Sequence, residues 1–106
     1  MELVHQYEFK DILDNLSAKT MLLKMYYELS EFKALESLLE SMRAYLQRKK
    51  ELGNRINGYK NIVRYTKKLL KVNPYNKNQI AKLRQEIETA TPLTEKAWLL
   101  KQLDDL

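Results

Sequence analysis

Asn54–Asn78 reads NRINGYKNIVRYTKKLLKVNPYNKN, a stretch with seven lysines and arginines and no acid. At about 100° per residue, Ile56, Tyr59, Ile62, Val63, Thr66, Leu69 and Leu70 fall on one side of a helix. Lys60, Arg64, Lys67, Lys68 and Lys71 fall on the other. The spacing predicts an amphipathic helix over about 54–72. Asn73–Pro74 stops it, because the residue before a proline is pushed out of the α region. With 19 basic and 14 acidic residues in the whole chain, this stretch alone outweighs the net charge of +5.

The same reading extends to both sides. Upstream, Phe32, Leu35, Leu38, Leu39, Met42, Tyr45 and Leu46 share a face, which predicts a helix from Phe32 to about Leu52. Glu36, Glu40, Arg43 and Gln47 lie opposite, and Glu40 and Arg43 have the spacing to pair. Arg48, Lys49 and Lys50 suit the negative pole of that helix. Gly53 is expected to close it, and Asn54 to cap the next. Earlier still, Asn15 or Ser17 is a candidate cap for a helix over 18–29, with Met21, Leu22, Met25, Tyr26 and Leu29 as its stripe and Leu23 and Tyr27 extending it round the side. A short separate helix is expected near 8–14.

Downstream, Asn76 with Gln79 three residues on resembles a capping box. The helix it opens has Ile80, Leu83, Ile87 and Ala90 at steps of three and four. Thr91–Pro92 predicts a restart, with Pro92 in the first helical position. The last helix is expected to bury Leu93, Ala97, Leu100 and Leu103 and to leave Trp98 on its other side. Five to six helices joined by short turns predict an all-α fold of stacked antiparallel hairpins.

Composition agrees. Two glycines and two prolines in 106 residues leave little turn material for a sheet of short strands. The 44% hydrophobic and 31% charged content suits one globular domain rather than a disordered chain. Absence of cysteine excludes disulfides, thiol chemistry and Cys-based zinc sites. No run approaches the 18 apolar residues of a membrane span, and MELVHQYEFKDILDN is no signal peptide. A cytoplasmic location is the default expectation.

Leu22–Leu35, LLKMYYELSEFKAL, resembles a tetratricopeptide (TPR) helical repeat. Leu22, Tyr26 and Phe32 match its leucine and two aromatics, and Leu39 and Met42 match apolar positions of its second helix. Leu69–Pro74 resembles the usual repeat ending. Leu23 and Leu35 depart from it, standing where the family prefers glycine and alanine. The resemblance implies a short right-handed solenoid, similar to the C-terminal end of a longer bacterial TPR-like protein. Residues 1–14 would then be the remnant of a preceding repeat, and 92–106 a capping helix. It also implies a module that holds partner proteins or peptides and catalyses nothing.

The residues offer little for catalysis. His5 is the only histidine, and Glu36 and Glu40, one turn apart, lack a facing partner set and read as a solvated face. No phosphate-binding glycine loop or nucleophile motif is present, and no cofactor is expected. The expected role is protein–protein interaction, with Lys60, Arg64, Lys67, Lys68, Lys71, Tyr27 and Trp98 as candidate contacts. An acidic protein or peptide suits the basic face, and uncapped helical ends could pair with a second copy. Nucleic acid is the alternative, with Tyr65 and Tyr75 as stacking rings. Membrane-surface binding is not expected, since the basic helix needs its apolar side for the core.

Overall fold

The computed structural model describes residues 6–106. Leu3, Val4 and His5 lie outside the described residues. The described chain forms α1 (Gln6–Glu28), α2 (Phe32–Arg48), a 3-10 segment (Lys50–Ile56), α3 (Asn57–Lys71), α4 (Lys77–Thr89) and α5 (Lys96–Asp104). No described residue is in a strand. The chain divides into two compact units, Met1–Ala44 and Tyr45–Leu106.

In the first unit α1 is one continuous helix of 23 residues, not a short helix followed by a capped one. Asn15 and Ser17 are exposed interior positions and cap nothing. A polar residue in a helix costs only a few tenths of a kcal/mol there, while the buried row Leu16, Thr20, Leu23 runs straight through. Thr20 joins this row because its Oγ1 donates to the Leu16 carbonyl at 2.8 Å. The expected stripe faces the other way: Met21, Met25 and Leu29 are exposed.

Helix α1 ends in a left-handed Ser30 (φ 59°). Ser30 N–H donates to the Tyr27 carbonyl at 3.1 Å, and Glu31 N–H to that of Tyr26 at 2.8 Å. That pair of bonds is a Schellman motif, usually built on glycine. Helix α2 buries Leu35, Leu39 and Met42 as expected, but leaves Phe32 exposed. Arg43 Nε donates to both Glu40 carboxylate oxygens, at 3.1 and 3.2 Å.

The second unit begins inside α2, which stops at Arg48 rather than Leu52. Lys49 N–H already bonds the Leu46 carbonyl three residues back, and Leu52 N–H that of Lys49. These tighter bonds start the 3-10 segment. Gly53 within it has φ 59° and ψ −127°, a conformation essentially reserved for glycine. Asn54 does not cap α3; its Oδ1 accepts from Asn57 Nδ2 at 2.8 Å.

Helix α3 packs against the 3-10 segment, α4 and α5, and α4 packs against α5. Ile56, Ile62, Thr66, Ile87, Leu99 and Leu103 are fully buried at the centre of this unit. Each large aliphatic side chain so buried contributes about 1.5–3 kcal/mol. The α4 cap forms as expected: Asn76 Oδ1 accepts from Gln79 N–H at 3.0 Å. Gln79 Oε1, however, accepts from Asn73 N–H at 3.1 Å instead of returning to its own cap.

Thr91–Pro92, a cis peptide, starts no helix; α5 begins only at Lys96, after a left-handed Glu95 (φ 60°). The intervening loop bonds to α3 instead. Asn61 Nδ2 donates to the Pro92 carbonyl at 2.7 Å, and Thr94 N–H to the Gly58 carbonyl at 3.3 Å. The buried face of α5 differs from expectation, although Leu103 keeps its place on it. Trp98, Leu99 and Leu103 are buried, and Ala97 is exposed.

Candidate functional site

Two surfaces stand out, one in each unit. In the first unit, Met21 (66% exposed), Met25 (53%), Leu29 (67%) and Phe32 (46%) present large apolar side chains to solvent. The first three are spaced four apart, so they form a single stripe along α1, opposite its buried row. Tyr27 is half-buried, and its ring meets that of Phe32 edge-on, with centroids 6.2 Å apart at 78°.

In the second unit, α3 and α4 border a shallow groove of about 250 Å³. Its lining includes Lys68, Lys71 and Val72 from the end of α3 and Gln79, Lys82, Leu83 and Glu86 from α4. Two helices joined by the tight Asn73–Asn76 turn bring these residues together. Asn73 holds that turn through its Oδ1, which accepts from Tyr75 N–H at 2.9 Å.

The charges of the groove are unevenly satisfied. Lys68 Nζ bonds Glu86 Oε1 at 2.7 Å, with both side chains about one-third exposed. That hydrogen bond holds the Glu86 carboxyl below its ordinary range; partial burial opposes it, and the charges of Lys68, Lys82 and Arg64 add to it. A pair this accessible is worth roughly 0–1 kcal/mol. Lys71 and Lys82 form no ion pair among the described residues and are both exposed.

The residues of the expected basic face of α3 are divided between different environments. Lys71 and Arg64 are exposed and Lys60 and Lys67 half-buried, while Lys68 turns into the seam with α4. Tyr65, expected as an exposed stacking ring, is buried, with the Arg64 and Lys68 cations 5.5 Å from its ring centroid. Trp98, expected as a surface anchor, is also buried. Tyr75 keeps its expected position at 91% exposure. Lys82 of the groove carries no local signal beyond lying on the polar side of α4, and Gln79 is marked in the sequence only as the partner of Asn76 in the capping box.

Among the described residues no group of three or more His, Asp or Glu side chains could hold a metal ion. Glu36 and Glu40 are both exposed, and Glu40 is occupied by Arg43. No described helix is long and apolar enough to cross a membrane. No protein-family model, curated protein or solved structure matches the chain.

Proposed function

We propose that this chain is a non-enzymatic protein-binding module, a TPR-like helical scaffold element. The observation that carries the reading is the exposed stripe of Met21, Met25 and Leu29 with Phe32 beside it. Contiguous apolar surface on a soluble helix marks an interaction site. Methionine is over-used on surfaces that adapt to partners, since its unbranched side chain repacks easily. Exposed Glu28 and Glu31 flank Leu29 of the stripe along the chain, so a partner helix with an apolar face and a basic flank fits it.

The test is site-specific photocrosslinking in the native cell, with the crosslinker at Met25 and, as control, at the exposed polar Gln47 of α2. Adducts to a defined protein at Met25 alone, mapped to a basic amphipathic segment of it, support the reading. Equal labelling at both positions, or adducts to nucleic acid, refutes it.

A second reading, nucleic-acid binding, is favoured by the row Lys60, Arg64, Lys67 and Lys71 along α3. Burial of Tyr65 removes one of its two stacking rings and weakens it. Retention of mixed RNA with log affinity falling linearly in log salt would revive it.

A further inference from the structure

We infer that the groove between α3 and α4 is a docking site for a short acidic segment carrying an apolar residue between its carboxylates. The inference rests on the protein-binding reading and adds a second contact surface and the chemistry of what it holds.

Four features define the occupant. First, Lys71 and Lys82 reach the groove from its two walls without an ion pair among the described residues, and although Glu86 offsets part of the charge of Lys82, each can take a carboxylate. Second, Gln79 has its Oε1 engaged by Asn73 N–H, which leaves its NH2 group as a further donor at the same lining. Third, Val72 and Leu83 give the groove an apolar patch between these polar groups. Fourth, the volume of about 250 Å³ lies below the roughly 300–1,000 Å³ of small-molecule pockets, and suits one aliphatic side chain rather than a cofactor.

Convergent donors around an apolar patch specify a ligand with both chemistries. A peptide that alternates glutamate or aspartate with leucine supplies them. A phosphate backbone supplies only the charge, and no aromatic ring lines the groove to stack a base.

Glu86 makes the inference sharp. Its carboxylate occupies Lys68, and among the described residues of the lining it is the one negative group. Removing it frees a third cation and removes a repulsion, so Glu86→Gln should tighten binding of an acidic peptide.

The test measures fluorescence anisotropy of a short fluorescein-labelled peptide of alternating glutamate and leucine. The same peptide with glutamine for glutamate and a mixed-sequence single-stranded RNA serve as comparisons. Circular dichroism checks that every variant is folded. The expected result is salt-sensitive binding of the glutamate peptide, weaker binding of the glutamine peptide, and about ten-fold loss in Lys71→Ala/Lys82→Ala. Glu86→Gln should bind about two- to five-fold more tightly, the scale of one exposed charge pair.

No binding at millimolar peptide, or affinity unaltered in the double variant, overturns the inference. Tighter binding of the RNA with the same dependence on Lys71 and Lys82 also overturns it, in favour of nucleic acid. Because the photocrosslinking test reads α1, failure at the groove and failure of the protein-binding reading are separate results.

Discussion

Replacing Thr66 by valine should stabilise the Tyr45–Leu106 unit. Thr66 is fully buried in α3, and its Oγ1 has no hydrogen-bond partner among the described residues. A buried hydroxyl stripped of water without compensation costs about 1–3 kcal/mol. Valine has the same branched shape, leaves no cavity and differs little from threonine in helix propensity. A gain of about 1–2 kcal/mol follows, and for a domain of this size each kcal/mol moves Tm by roughly 4–8 °C. The assay is urea and thermal unfolding followed by the fluorescence of Trp98, the only tryptophan, which is buried in this same unit. Thr20→Val is the control, read by far-UV circular dichroism. Thr20 is also buried but donates to the Leu16 carbonyl, so valine there removes a bond and should give no gain. A Thr66→Val midpoint at or below wild type, with unchanged urea m-value, refutes the reasoning.

Three further outcomes follow from the second unit. A Cβ on Gly58 would meet Thr94 Oγ1 at 2.6 Å, so Gly58→Ala should destabilise despite alanine's helix propensity. In a Thr94→Ala background the same change should stabilise, by up to about 1 kcal/mol, and a double-mutant cycle with no coupling would contradict this. Asn76→Ala, which deletes the bond to Gln79 N–H, should cost about 1 kcal/mol in chemical denaturation. Finally, Glu86 has its folded-state pKa lowered from 4.5 by Lys68, so its contribution is present above 4.5 and is lost as pH falls through the lower folded value. Unfolding midpoints should therefore drop less between pH 6 and pH 3 in Glu86→Gln than in wild type, and equal drops would count against the pair.

How much of this was legible from sequence depended on whether a helix had a polar side. Helices α2, α3 and α4 do, and their buried positions Leu39, Met42, Ile62, Leu69, Leu83 and Ile87 fall on the faces that periodicity indicates. Helices α1 and α5 spread apolar and polar residues round the whole circumference, so local spacing singles out no one face. Tertiary packing decides the face: it buries Leu16 and Leu23 in place of Met21 and Met25, and Trp98 in place of Ala97. The Asn76 cap was legible because it is a local bond. The Lys68–Glu86 pair was not, since its partners are 18 residues apart and meet only when α3 and α4 pack. For the same reason the groove was half visible: Lys68 and Lys71 belong to the predicted basic face, whereas Lys82, and Gln79 in any role beyond the capping box, acquire meaning only from the opposite wall.

The outward turn of Met21 and Met25 has a chemical consequence. Thioethers on a protein surface are oxidised to sulfoxides by peroxide, and the product is polar and chiral. Met42, fully buried on α2, is shielded from the same oxidant while the chain is folded. The α1 stripe is thus the part of the described molecule whose hydrophobic character an oxidising burst erases first. Methionine sulfoxide reductases restore it. Any complex held by that stripe carries a redox sensitivity that no cysteine supplies, and mass spectrometry would read it as oxygen added at Met21 and Met25 ahead of Met42.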